Sequence, residues 1–328
     1  MEVLPGGQMV SARAGVGAAR PPKTGKGRRI PEKPEEKEGQ RMGDRQKLAY
    51  TPEELQLLWK REMAIYQEIA GICERHGLRY FAACGTVLGA VRHGGFIPWD
   101  DDMDVAMPRK DYEAFLKVAP LELREDLEIL GIGLTAGYVI PFAKVSDRNS
   151  TFIEETDQQL KYHSGIFVDI FPMDEAAPTH RQEKRHRRGC WFWGRAGVLA
   201  EYGQVKMPEG LKGLKRGAAE AACRGVHALM KLFGISTLWC YRHFLKEARR
   251  YEKEEPERIA GYADVSVEST IHQAKNLFPT APARFEDITV RIPRDPDLYL
   301  KNLYGDYMVL PPPDRRINHF PAVLDFDH

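Results

Sequence analysis

The sequence has no C-x-x-C pair, no internal repeat, no apolar run of membrane-spanning length and almost no net charge. Each absence excludes something. Five cysteines (Cys73, Cys84, Cys190, Cys223 and Cys240) are an odd number and widely spaced. That argues against a disulfide framework or a zinc site, fits a reducing compartment, and leaves the cysteines as packing residues. No stretch approaches the ~18–20 apolar residues that a transmembrane helix needs. The N-terminus lacks the apolar core of a secretory signal, so the expected location is the cytoplasm. A formal charge of +1 gives no sign of a nucleic-acid partner.

What is present is an ordinary globular composition, 43% hydrophobic and 29% charged over 328 residues, enough for a substantial core. The charge is unevenly placed. Residues 181–250 hold 16 Lys/Arg against 5 Asp/Glu, which leaves 32 against 42 for the rest. A basic segment beside an acidic remainder fits either a face that meets anions or a set of solvated helix faces.

Residues 1–48 are rich in Gly, Ala, Pro, Lys, Arg and Glu without apolar periodicity, and are expected to be a disordered tail. Order is expected to begin at "TPEE", where Thr51, Pro52 and Glu54 form a helix start. Apolar residues then recur at helical spacing to Cys73. Strands are expected at 78–85, 103–107, 127–132, 138–146, 150–154 and 165–171. Helices are expected around 87–92 and at 109–119. The stretch 179–254 turns helical and basic. A hairpin arm in "FEDITVRIP", a helix in "DPDLYLKNLYGD" and an extended "PPPDRR" (311–316) follow. The pattern divides the chain into a core at 49–178, a basic helical insertion at 179–255 and an α/β part at 256–328 that completes the core. The fold class is α+β, a mixed sheet with flanking helices.

The stretch "GGFIPWDDDMDVAMP" (94–108) concentrates aspartates where the pattern calls for burial. In a strand, alternate side chains share a face, so Asp102 and Asp104 point one way while Met103, Val105 and Met107 point into the core. Two carboxylates so placed suit a hard divalent cation, Mg²⁺ or Mn²⁺, and are unfavourable without one. A third carboxylate, Asp169, stands inside the apolar strand "GIFVDIF", and would join them if that strand lay beside 103–107. An EF-hand is excluded, because Val105 occupies the position that requires Gly and no Glu closes the loop. Ahead of the cluster, Gly85-Thr86 at a strand-to-helix turn offers backbone N–H groups and a hydroxyl to a phosphate.

The run "FAACGTVLGAVRHGGFIPWDDDMDVAMPRKDYEAF", with "PFAKVSDRNST", "GIFVDIFPMDEAAP" and "LYLKNLYGDYMVLPPPDRRINHF", resembles the LicD family, which is similar to the fukutin-type transferases. The likeness covers about residues 55–320. It departs from the family's pattern at Gly94 and Met103 and is weakest at 180–250. The resemblance implies a nucleotidyltransferase-like fold and transfer of phosphocholine, or a similar phospho-alcohol, from a CDP-linked donor to a glycan hydroxyl. Such transfer would decorate a cell-surface polysaccharide or teichoic acid, the acceptor being a glycan or lipid-linked glycan. The family's metal positions carry over onto Asp102, Asp104 and Asp169. On that reading Arg92 and His93 contact phosphate, although His93 also suits a structural hydrogen bond. Lys144 either contacts phosphate or snorkels from a sheet edge. Trp99 either stacks on a base or choline group or packs in the core. Arg315 and Arg316 either close over the donor or lie in solvent. The helices at 180–250, with Trp191, Phe192, Trp193 and Trp239, either touch a membrane face or form an ordinary helical subdomain. Two other readings stay open: nucleotidyl transfer to a small molecule, and a non-catalytic glycan-binding relative.

Overall fold

The computed structural model describes residues 50–154, 160–205, 212–263, 271–316 and 318–327. The tail expected over 1–48 lies outside them. The first helix, α1 (Pro52–Arg75), starts where the sequence signals it. The Thr51 hydroxyl accepts from the Glu54 N–H at 3.1 Å, and the Glu54 carboxylate accepts from the Thr51 N–H at 2.8 Å. Together they satisfy two donors that a helix start otherwise leaves open. Leu58, Ile65, Ile69 and Ile72 bury one stripe of the helix, each contributing about 1.5–3 kcal/mol.

Among the described residues, seven strands form a mixed, curled sheet. Its main path runs β1 (Phe81–Ala82), β2 (Asp104–Pro108), β6 (Phe167–Glu175), β4 (Ala143–Asp147) and β3 (Leu127–Leu130). The far end of β6 also pairs with β7 (Arg258–Ala260), which pairs with β8 (His272–Gln273). β2 and β6 are parallel and the other pairs are antiparallel. A parallel neighbour needs a long crossover, and here the connection includes α3 (Arg109–Glu122), β3, β4 and β5 (Thr151–Ile153). α1 and α3 pack on each other and on the sheet. The core follows from this contact: Tyr66, Phe81, Met103, Val105, Met107, Phe115, Val145, Val168 and Ile170 are all essentially inaccessible. A two-stranded ladder joins β5 to β11 (Val323–Asp325), so the chain's last described stretch returns to the core.

Three long helices follow β6: α4 (His180–Tyr202), α5 (Gly213–Leu232) and α6 (Thr237–Ala248). α4 and α6 lie against each other through His186, Cys190, Gly197, Cys240 and Phe244, while α5 buries no residue. Beyond β8 come the short α7 (Ala274–Leu277), the hairpin β9 (Ala281–Phe285) and β10 (Ile288–Ile292), and α8 (Pro296–Tyr304). Among the described residues no helix is long and apolar enough to cross a membrane.

Several elements differ from the sequence pattern. The strand expected at 78–85 is two residues long, because the chain turns into α2 (Cys84–Arg92) as soon as it has paired with β2. Of 138–146 only the end is strand. Tyr138 to Phe142 are largely buried in irregular chain. The segment 311–316 contains a 3₁₀ turn at Pro313–Arg315, closed by the Arg315 N–H on the Pro312 carbonyl at 2.9 Å, rather than running extended.

Candidate active site

Parallel pairing of β2 with β6 sets Asp104 beside Asp169, and antiparallel pairing of β6 with β4 sets Lys144 on the other side of Asp169. Three charged side chains thus form a row across three adjacent strands. All three are buried. The Lys144 ammonium lies 3.1 Å from Asp169 Oδ1 and 3.2 Å from the centre of the Phe167 ring. Asp169 Oδ2 has no hydrogen-bond donor. Met103, Val105 and Met107 are fully buried on the opposite side of the alternation, as the sequence pattern requires.

The loop leading into β2 is held from several directions. The Trp59 indole of α1 donates to the Asp100 carbonyl at 2.9 Å and stacks on Phe96. The β9–β10 turn docks beneath: the Glu286 N–H donates to the Gly94 carbonyl at 2.8 Å, and its carboxylate accepts from the Phe96 N–H at 3.0 Å. A Cβ on Gly95 would stand 1.9 Å from the Glu286 carboxylate, so a larger residue there would displace that side chain from its bond to Phe96. Glu286 itself is held at φ +51°, an uncommon backbone state for a residue with a side chain. The Thr86 hydroxyl accepts from the Asp104 N–H at 2.8 Å, which fixes the start of β2 to α2. The space that a Cβ on Gly85 would need is taken by the Asp100 carboxylate, at 2.7 Å.

Asp101 is tied off by partners of its own and works as an anchor. It accepts from the Tyr50 hydroxyl at 2.8 Å, and both of its oxygens accept from the His319 N–H at 2.9 Å. The His319 ring lies 3.4 Å from Asp101 and 3.6 Å from Asp102. Burial pulls the imidazole pKa down, but the hydrogen bond to Asp101 and the charges of Asp102, Asp101 and Glu154 outweigh it, and the pKa rises to about 11. His319 is therefore an imidazolium at neutral pH.

The carboxylates respond to one another. Burial, opposed by His319 and reinforced by Asp101 and Asp169, moves Asp102 to about 6. Burial and then Asp102 and Asp169 push Asp104 well above the usual carboxylate range. Burial also raises Asp169, against the pull of Lys144. Glu62, on the buried stripe of α1, is pushed up by burial and by Asp102, Asp101 and Asp100, and its Oε2 has no partner. Six carboxyl groups (Glu62, Asp100, Asp101, Asp102, Asp104, Asp169) share a site with Lys144, His319 and Arg92. Buried negative charge is in excess here, and Glu62 Oε2 and Asp169 Oδ2 lack donors, a chemistry that suits a hard cation better than an apolar filling. Among the described residues, however, no three His, Cys, Asp or Glu side chains converge closely enough to hold a metal ion as they stand. The open side lies at Asp102 and His319, whose side chains are 19% and 28% accessible.

The other sequence-predicted residues have partners of their own, and of them Arg92 feels the charge of Asp100. Arg92 donates to the Tyr307 carbonyl at 2.6 Å and, through Nε, to His93 Nε2 at 2.9 Å, so His93 accepts as a neutral imidazole. Burial, followed by the Arg92 charge, lowers the His93 pKa. The Trp99 ring carries the Arg316 guanidinium, 4.6 Å from its centre. Arg316 also donates to the Pro311 carbonyl at 3.1 Å. Arg315 is exposed on the 3₁₀ turn.

Tyr50, Trp59, Glu62, Glu286 and His319 escape the sequence reading. For Glu62 there was a local signal, a lone acid on an apolar helical stripe. For His319 there was none, since its partner lies 218 positions away.

A model of the LicD/FKTN/FKRP nucleotidyltransferase domain matches residues 77–198, a span that contains Asp102, Asp104, Lys144 and Asp169. The LicD likeness therefore belongs to residues 77–198. A stretch of 122 residues is 35% identical to the lipopolysaccharide cholinephosphotransferase LicD of Haemophilus influenzae, covering 36% of this chain and 44% of that protein. A further likeness, 45% identical over 51 residues, links it to the ribitol 5-phosphate transferases FKRP of Homo sapiens and Mus musculus, covering 16% of this chain and 10% of theirs. The matches thus span less than half the length of each relative. These LicD-family relatives are named as phosphotransferases that act with different alcohols.

Proposed function

We propose that this chain moves a phospho-alcohol from a CDP-linked donor to a glycan hydroxyl, on a nucleotidyltransferase-like core. The observation that carries the reading is the register that sets Asp104 beside Asp169, with Asp102 in electrostatic reach of both, inside the family segment. Asp102, Asp104 and Asp169 are the residues that would hold a divalent cation, and when bound it would neutralise the donor's diphosphate and the leaving nucleotide. The chain's own groups do the rest. Asp169, with Oδ1 held by Lys144 and Oδ2 buried without a donor, orients the acceptor hydroxyl and takes its proton. Lys144 keeps Asp169 anionic until it does so. Arg92, with His93 held against it, supplies positive charge where donor phosphate enters. Gly85 and Thr86 act by shaping the turn: Gly85 lets Asp100 approach, and Thr86 fixes the start of β2. Trp99 and Arg316, stacked together, form a platform beside the donor, with Arg315 adjacent. A glycan or lipid-linked glycan is the acceptor on this reading, with transfer passing directly between donor and acceptor without a covalent enzyme intermediate.

The test is product analysis with CDP-choline, CDP-ribitol and CDP-glycerol in the presence of Mg²⁺. Release of CMP, abolished in Asp104→Asn, is the expected result. Pyrophosphate release from CTP would replace this reading with nucleotidyl transfer. Turnover of none of these, alongside unimpaired folding, would favour a binding role.

A further inference from the structure

α5 is amphipathic in the wrong direction for a helix that belongs to a core. Its half-buried positions, Ala219, Cys223, His227 and Met230, form one stripe turned toward the protein, where His227 Nδ1 bonds the Leu199 carbonyl of α4 at 2.8 Å. On the opposite side Leu214, Leu229 and Leu232 share a stripe with Ala218, Ala221 and Gly225, and that stripe is open. Leu214 is 92% accessible, Leu232 77%, Phe233 just past the helix 74%, and Leu229 55%. Exposing several large apolar side chains along one helix is unfavourable in water unless something covers them.

The charges beside the stripe say what that cover is. Lys215 borders it on one side and Arg224 and Lys231 on the other, and the helix's one acid, Glu220, is already paired with Arg216 at 2.9 Å. A second copy of the same face would bring like charges together. The chain's first 49 residues, with 11 Lys/Arg against 6 Asp/Glu, are also net basic and are repelled in the same way. A surface that is apolar inside and anionic outside complements both features. Such a surface is a bilayer with acidic headgroups, on which a helix with an apolar face and a basic rim lies in the interfacial plane. Neighbouring helices present matching groups: Trp191, Phe192 and Trp239 are all more than a third accessible, and Trp is favoured at the headgroup level.

We propose that α5 docks this protein on the surface of an anionic lipid bilayer, with Leu214, Leu229, Leu232 and Phe233 inserted and the flanking Lys and Arg on the headgroups. The inference rests on the surface of α5 and not on the transfer reading, and its readout is binding, so either can fail without the other. The test is flotation of the full-length chain with phosphatidylcholine vesicles, with and without about 30% phosphatidylserine. The expected result is binding to the anionic vesicles only, weakened at least about ten-fold by Leu229→Glu/Leu232→Glu and reduced by added salt. Lys215→Glu/Lys231→Glu is a second variant that leaves the apolar stripe intact, and it lowers binding in the same direction. Circular dichroism checks that both variants keep the wild-type helix content. Failure to bind anionic vesicles, equal binding to neutral ones, or undiminished binding by the variants would overturn the proposal. So would a concentration-dependent dimer in sedimentation that the Leu→Glu variant disperses, since the stripe would then be a self-association face.

Discussion

Lys144 and Asp169 are buried together in the middle of an apolar sheet, and neither is tolerable there without the other or a substitute. Removing one member of a buried pair costs about 3–5 kcal/mol, because the charge left behind has no compensation. Lys144→Met should therefore lose about 3 kcal/mol in urea unfolding with chelator present. If the carboxylates hold a divalent cation, Mg²⁺ should recover part of that loss. An equal loss with and without Mg²⁺ would mean that no cation reaches Asp169. His272 offers a second residue-scale test. It is buried, stacked on Tyr299, and burial lowers its pKa from 6.5 to about 4. The folded state keeps this histidine neutral, so its contribution is present above pH 6.5 and is lost as pH falls through 4. The stability gap between wild type and His272→Gln, followed by urea unfolding across that window, should narrow by up to about 3 kcal/mol on acidification. A constant gap would contradict the shift. At this scale the sequence was informative about polar residues inside apolar runs. Asp102, Asp104, Lys144 and Asp169 each stood out because burial of an acid or amine needs a reason. On the sequence alone Asp101 reads as a solvated loop residue, whereas it is buried and tied to Tyr50 and His319.

Between elements, the site depends on backbones that approach too closely for a side chain. Gly165 opens the strand that carries Asp169. A Cβ there would lie 1.8 Å from the Asp147 carbonyl and 2.8 Å from that of Ser150, both main-chain atoms that cannot swing aside. The Gly165 N–H donates to the Ser146 hydroxyl at 3.0 Å, so the close approach is hydrogen-bonded. Gly165→Ala should cost at least about 1–3 kcal/mol, seen as a lower melting temperature, and should displace β6 relative to β4. Melting at the wild-type temperature would refute that packing. Elements with a local signature were legible: the capping box of α1, the alternation in β2, and the helical period of α3. The parallel pairing of β2 with β6 was readable only as a condition, since register between strands more than sixty residues apart has no local signature. The short β1 and the 3₁₀ turn at Pro313–Arg315 were misjudged for a related reason, their length being set by what they pair with or turn against.

Across the whole molecule, negative charge is gathered inside one site and positive charge along the helices that follow β6. The two halves have different uses for charge. In the site it is buried and raises the pKa values of Asp100, Asp104 and Glu62, each first through desolvation. On the helices it is solvated and acts at range, weakened by salt. The uneven composition was plain in the sequence, but composition does not say which face of a helix is open, and only the packing of α5 shows that its apolar stripe is uncovered. The most direct test of the central claim, that acidic side chains on two neighbouring strands hold a divalent ion, is to count bound Mn²⁺ by electron paramagnetic resonance. Wild-type protein should take up Mn²⁺ saturably, with Mg²⁺ displacing it, and Asp104→Asn should weaken uptake about ten-fold or more while still folding. Uptake that is absent in the wild type, or unchanged in Asp104→Asn, would contradict the account.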